Sequence, residues 1–525
     1  DVPKSGCSMG APSGLGRSGR MGVAALVAGL LTLLGLSRRG RASRFTLFSL
    51  FAAAGAVLGG GSNLACQGNK VGDNSDKDGA ANPFYSTIDE IGRYQSAVAR
   101  DGKIYIAAYD SNYGDLAYTE VGFEEAQTAK LAWYPVDGLP SGEPTSKGKD
   151  AYRGGYDDPA DDVGRFAALA LTSKGRPVVA YQDVTNGTVK LASRPDQGKP
   201  WQISTISATT DGKAGFFNSL ILDDADVPTV AYMLTGIRKD EGKFASQLIL
   251  AKAGAADPTG AEGWQKNAIE EQAISCAGLC DMGEACVYID PMKKDKVATQ
   301  CKKIETGCMP GCKNTQACIA SKCVDALGTP PAMKPEGTGL YTRLIRTPSG
   351  AVVVFHNNAT GAVKMAAAPD WKVVTLDGGD GRVHVGDYIG AAVATDGTLH
   401  VAYGDKDGRL LYRAWKDGMG TKVEIADAGL RDVGGVQDVH LVGAGVQLFL
   451  DGDQPVVVYQ DQTANSLEVA RRGMTGWTHQ TLSMTPDKSR GFYPQAVNNA
   501  GRFLIADVVY DRMADALSGI AFSPL

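Results

Sequence analysis

Seven times along the chain, an apolar β-branched run, a turn rich in Asp, Asn and Gly, and an alternating run follow one another; few architectures accommodate such a series. The clearest copy is Gly175 to Ser193, GRPVVAYQDVTNGTVKLAS. Pro177 to Tyr181 and Thr188 to Ala192 read as two strands, and Asp183, Asn186 and Gly187 supply the turn between them. Further copies start at Ile104, Pro228, Ala351, Leu399, Pro455 and Phe503. Their spacing, mostly about 40 to 50 residues, is that of bladed repeats.

Each hairpin carries more around it. An inner strand precedes it, often introduced by Gly-x-aromatic: Gly92-Arg93-Tyr94, Gly164-Arg165-Phe166, Gly215-Phe216-Phe217, Gly339-Leu340-Tyr341, Gly386-Asp387-Tyr388 and Gly491-Phe492-Tyr493. The sixth repeat departs, with Gly443-Ala444-Gly445-Val446. An outer strand follows, usually opened by Trp (Trp133, Trp201, Trp264, Trp371, Trp477), whose ring is expected to cover the gap between neighbouring sheets. The seventh repeat ends at Leu525 without an outer strand, and Phe84 to Asp89 matches the missing one. The expectation is an all-β, seven-bladed β-propeller over 84–274 and 325–525, closed by that N-terminal strand so that no blade edge stays unpaired. The blades resemble those of the large bacterial propeller superfamilies, a resemblance covering residues 84–525 that implies fold and leaves function open. Turns such as Asp101-Gly102 and Asp396-Gly397 belong to one face. Loops within the central hairpins, and the long ones between blades, belong to the other, where binding usually resides.

Residues 1–65 hold seven Lys or Arg and one acid, which leaves a net charge of −11 on the remainder. So acidic a portion argues against nucleic acid as a partner. In 1–40, Gly-Cys-Ser at Gly6 to Ser8 is followed by an apolar run, Gly22 to Leu36, and by Arg38, Arg39 and Arg41. This resembles the C-terminal sorting tails called MYXO-CTERM, and it implies an exported protein of myxobacterial type. Standing at the start of the chain, it reads as the tail of an upstream reading frame joined to a second protein. In 41–66, Arg41 and Arg44, the apolar run Phe45 to Leu58, and small residues before Cys66 form a signal-peptide pattern. Cys66 resembles the acylated cysteine of bacterial lipoproteins, although Asn63 and Leu64 depart from the usual lipobox. Ordinary signal cleavage, an uncleaved anchor or a hairpin of two membrane helices are the alternatives. All of them place the rest of the chain outside the cytoplasm, at the outer membrane, the cell surface or the periplasm. Residues 67–83 read as a flexible linker in which Asp73, Asp76 and Asp78 only faintly match a calcium loop.

Eight of the ten cysteines fall in a block assigned to 275–324. They form two copies of one unit, Cys276, Cys280, Cys286, Cys301 and then Cys308, Cys312, Cys318, Cys323, both running C-x3-C-x5-C before the last cysteine. Units this small need cross-links in place of a core. Disulfides paired one-to-three and two-to-four are expected, zinc being the rival, and four cysteines allow three pairings. The module resembles small Cys-rich inserts of exported bacterial proteins.

Catalytic signatures are wanting: no H-E-x-x-H, G-x-S-x-G, P-loop or sialidase Asp box stands on these strands. Asp157, Asp158, Asp161 and Asp162 crowd one interblade loop and invite either Ca2+ or plain turn use; no other cofactor is expected. His356 and His384 stand near the loop face. Asp110, Asp183, Asp405, Asp461 and Asp511 recur at one repeat position, which argues for a structural hydrogen bond, since a catalytic residue is needed once. The leading expectation is a membrane-anchored binding protein that recognises protein or glycan through its loop face. The alternatives are a polysaccharide hydrolase or lyase, using the acids of 157–162 with His356 or His384, and a structural subunit of a surface assembly.

Overall fold

The computed structural model describes residues 90–525 apart from 140, 145–155, 159, 197–198, 208–210, 309–310, 329–333 and 381–382. The sorting-tail pattern, the signal-peptide pattern with Cys66, the linker and the proposed closing strand Phe84 to Asp89 lie outside the described residues. What is described is all-β, a series of antiparallel sheets, mostly four-stranded, in which most strands pair with the next in the chain. The first sheet runs Ile91–Arg100, Lys103–Asp110, Asp115–Gly122 and Tyr134–Asp137. Later sheets have inner strands Val163–Leu171, Lys213–Leu222, Thr338–Thr347, Val385–Val393, Ala444–Asp451 and Lys488–Asn499. Each inner strand packs on the next, and that of the seventh sheet packs on that of the first. The arrangement is therefore a closed circuit around an axis. The seventh sheet has three strands among the described residues.

Central strands such as Pro177–Asp183 and Leu399–Asp405 are buried on both faces, because each sheet is sandwiched between two others. The cores lie between sheets, as where Val178, Val189 and Leu191 of the second meet Val230 and Tyr232 of the third. Three devices recur across these interfaces. The expected Asp hydrogen bond is present: Asp110, Asp183, Asp405, Asp461 and Asp511 each accept a backbone N–H two or three residues on, at 2.8 to 3.0 Å, and thereby close the central hairpin turn. Asn357 accepts from Thr360 N in the fourth sheet. The tyrosine two places before that position donates to an Asp at the end of the preceding sheet's outer strand. These pairs are Tyr181 to Asp137, Tyr403 to Asp377 and Tyr459 to Asp427, at 2.5 to 2.7 Å. Finally, the outer-strand Trp reaches across to a neighbour: Trp201 stands 5.1 Å from the ring of Tyr118, and Trp477 stands 5.0 Å from that of Tyr412.

The Cys-rich block leaves the third sheet after Ile274 and rejoins the ring at Thr338. Its short strands, Glu284–Tyr288, Thr299–Lys303, Gln316–Ile319 and Lys322–Leu327, form one small sheet spanning both copies. Disulfides join Cys276 to Cys286, Cys280 to Cys301, Cys308 to Cys318 and Cys312 to Cys323, so both copies pair one-to-three and two-to-four. All eight sulfurs are bonded in pairs, so none is left as a thiolate to hold zinc. The block docks on the third sheet. Phe244 and Ile274 pack against Cys276, Cys286 and Cys301, and Arg238 is paired with Asp281 and Glu284 at 2.7 and 3.0 Å.

Candidate functional site

The Gly-x-aromatic phrase does not introduce the inner strand; it lies inside it and bends it. In the first sheet Arg93 stands opposite Tyr109 and Ser96 opposite Ala107, so one residue too many is carried on the inner strand. The same shift occurs in all seven sheets. The aromatic is the bulged residue, and it adopts left-handed backbone: φ is between 48° and 56° for Tyr94, Phe166, Phe217, Tyr341, Tyr388 and Tyr493. Bulky residues rarely take that conformation, and only the surrounding ladder can hold them there. The preceding glycine makes room for the bend: at Gly164, with φ +102°, an added Cβ would lie 2.8 Å from Leu116 Cα.

Bulging throws the six rings toward the axis, where they touch in sequence. Tyr94 and Phe166 are 4.5 Å apart, Phe166 and Phe217 4.8 Å, Phe217 and Tyr341 4.8 Å, Tyr341 and Tyr388 4.9 Å, and Tyr94 and Tyr493 5.2 Å. The girdle is broken at one place. In the sixth sheet the position is Gly445, and a Cβ there would meet Gly491 O at 2.7 Å and Pro494 Cδ at 3.1 Å, so no side chain fits. Tyr388 and Tyr493, on either side of this gap, are the exposed members, at 38% and 36%. The enclosing protein desolvates both hydroxyls and pushes their pKa values up. The result is a girdle of six rings whose two exposed members flank the one position without a ring.

Charged groups stand at its edge. Lys334, on the return from the Cys-rich block, pairs with Asp387 and lies 5.8 Å from the centre of the Tyr341 ring. His356 is buried, its Nδ1 3.2 Å from Ala362 O and its Nε2 3.9 Å from Asp387 Oδ1, with no hydrogen-bond partner for Nε2. Burial depresses its pKa to about 4 against the pull of Asp387, so the ring is neutral at pH 7. His384 is exposed, its ring 6.3 Å from that of His356.

The loop acids belong elsewhere. Asp162 accepts from Tyr109 and Arg165 at 3.1 and 2.9 Å, and Asp161 accepts from Asn186 at 2.9 Å, all between the first and second sheets. Asp157 and Asp158 lie in the short strand Tyr156–Asp158, which pairs with Ser141–Pro144. His356 lies in the fourth sheet and His384 just before the fifth, whereas Asp161 and Asp162 lie between the first and second. A cleft of about 340 Å³ on the Cys-rich block, lined by Tyr288, Lys294, Ile319 and Asp325 among others, is separate from the girdle. The girdle was missed as a site when the phrase was read as a strand marker. The signal was there: an aromatic six times at one position and a glycine at the seventh.

No family model and no curated protein matches the chain. Solved structures similar to it include the Aleuria aurantia lectin in complex with α-methyl-L-fucoside (9% identity, TM-score 0.34, covering 74% of this chain and 93% of that one). Two others are the GH93 α-L-arabinofuranosidase of Fusarium graminearum (12%, 0.37, 69% and 92%) and the polysaccharide lyase Uly1 (8%, 0.38, 90% and 94%).

Proposed function

We propose that this chain is an exported, membrane-anchored, seven-bladed β-propeller that recognises glycans at the mouth of its axis. The observation that carries the reading is the aromatic girdle with its single gap at Gly445. Tyrosine and phenylalanine rings offer flat apolar faces to the C–H surfaces of sugars, and tyrosine hydroxyls offer hydrogen bonds at their tips. Converging acid and base groups, which hydrolysis or elimination needs, do not support an enzyme here: Asp387 is engaged by Lys334, and His356 is buried. Four disulfides suit an oxidising compartment outside the cytoplasm. Attachment through Cys66, closure of the ring by Phe84 to Asp89, and a contact role for the Cys-rich block are the sequence-based parts of the proposal.

The test is a glycan panel read with the wild-type chain and with the double variant Tyr388→Ala, Tyr493→Ala. Retention of some glycans by the wild type, weakened at least tenfold in a variant with unchanged circular dichroism, is expected. A wild type that retains no glycan, or a variant that binds equally well, overturns the reading. Intact mass of the natively produced protein reads the anchor: a chain starting at acylated Cys66 is expected.

A further inference from the structure

Directly beneath the girdle, two residues after each aromatic, the seven inner strands place Ser96, Ala168, Ser219, Arg343, Gly390, Gln447 and Gln495. This level has a structural task in several sheets. Ser96 Oγ accepts from Leu169 N of the second sheet, and Ser219 Oγ accepts from Leu344 N of the fourth, both at 3.0 Å or less. At these two positions the side chain thus bonds the following inner strand. Arg343 breaks the pattern: it cannot accept a hydrogen bond, and at the same level the following inner strand has Gly390, without a side chain.

Its charge is unmatched. The Nε is shut from water without a hydrogen-bond partner, while the side chain as a whole is half-buried, which leaves the rest of the guanidinium reachable from the axis. None of the other six residues at this level is acidic. Burial alone acts on its pKa, lowering it to about 10, so the group stays charged at neutral pH. A more deeply buried arginine, Arg490, shows what the fold does otherwise. Arg490 is held by Asp507 (Nε to Oδ2, 2.9 Å) and by Ser523 Oγ at 3.1 Å. Buried charges are ordinarily paired, because the desolvation cost is otherwise uncompensated. A fold residue recurs in every sheet; a residue that faces a ligand is needed once.

We infer that Arg343 is the counter-charge for an anionic group, a carboxylate or a sulfate ester, that reaches the axis past the exposed rings of Tyr388 and Tyr493. Resting on the glycan reading, this narrows it to acidic glycans. A neutral sugar would occupy the rings and leave the guanidinium unpaired; an acidic one would satisfy both.

Two measurements test it and separate it from the reading beneath. Thermal unfolding is followed in acetate or sulfate against chloride at constant ionic strength, for the wild type, Arg343→Gln and Arg343→Lys. Anions that act by exclusion from the surface stabilise all three alike, so the difference between them reads the site. The wild type is expected to show a saturable rise in Tm, with half-saturation at least tenfold weaker in Arg343→Gln and intermediate in Arg343→Lys. Arg343→Gln is expected to be at least as stable as the wild type without anion, since it removes an unpaired charge. Equal responses in wild type and Arg343→Gln overturn the inference. In the glycan panel, a preference for uronate or sulfated members over neutral ones, lost in Arg343→Gln, is expected. Glycan retention without that preference overturns the inference and keeps the reading, whereas an Arg343-dependent anion response with no glycan retained does the reverse.

Discussion

The ring and the Cys-rich block solve the same problem with opposite means. In the ring, each sheet buries both faces against neighbours, and small devices are repeated: an Asp that closes the turn, a Tyr that reaches the preceding sheet, a bulged aromatic. No covalent link is present among its described residues. The block, by contrast, has strands of four to six residues and a core made largely of its own half-cystines. It holds its shape by four cross-links. The comparison teaches that non-covalent stability comes from repetition around a closed circuit, and that an insertion outside it must bring its own.

Reduction should break that comparison most sharply. Each lost bridge costs about 2 to 5 kcal/mol in a unit this small, so the block is expected to unfold under reductant while the ring stays native. Limited proteolysis checks this: cuts confined to 276–327, with the ring's unfolding transition unmoved, are expected, and a transition that falls in parallel would refute it. Gly164→Ala strikes the other side. A left-handed φ of +102° and backbone 2.8 Å from the new Cβ should cost about 3 kcal/mol in denaturant unfolding of the ring, with the four disulfides still formed by thiol titration.

His356 gives an effect that vanishes at neutral pH and is confined to acid. Its folded pKa of about 4 lies below the ordinary 6.5, so between these values the unfolded chain binds a proton that the folded chain does not. Stability from this group is complete above pH 6.5 and is lost as pH falls toward 4, on the order of 3 kcal/mol at most. Urea unfolding at pH 7 and pH 4 should therefore show a steeper acid loss in the wild type than in His356→Gln; parallel curves would refute the assignment.

Much of the ring was legible because its signals are local and repeated. Pro177 to Tyr181 and Thr188 to Ala192 proved to be strands two residues and one residue longer at their C-terminal ends, and the recurring Asp was read correctly as structural. The cysteine pairing was legible through the duplicated spacing. What could not be read was set by tertiary contact. A left-handed Tyr94 or Phe166 runs against its own propensity, and it is imposed by an extra residue in a ladder whose register no single strand reveals. Likewise the tyrosine bonds to Asp137, Asp377 and Asp427 join residues 26 to 44 apart in different sheets. Arg343 was visible as a residue but silent as a site, because its meaning lies in the six smaller or neutral side chains at its level.

The gap at Gly445 has a consequence for how a guest would be held. Seven identical rings around an axis would offer seven equivalent poses, and a bound molecule could rotate among them with a degeneracy worth RT ln 7, about 1 kcal/mol. One missing ring and one lone guanidinium remove that freedom. On the proposed reading they would turn a rotor into a keyhole, giving up a little entropy for a single orientation in which the two ends of a sugar chain are told apart.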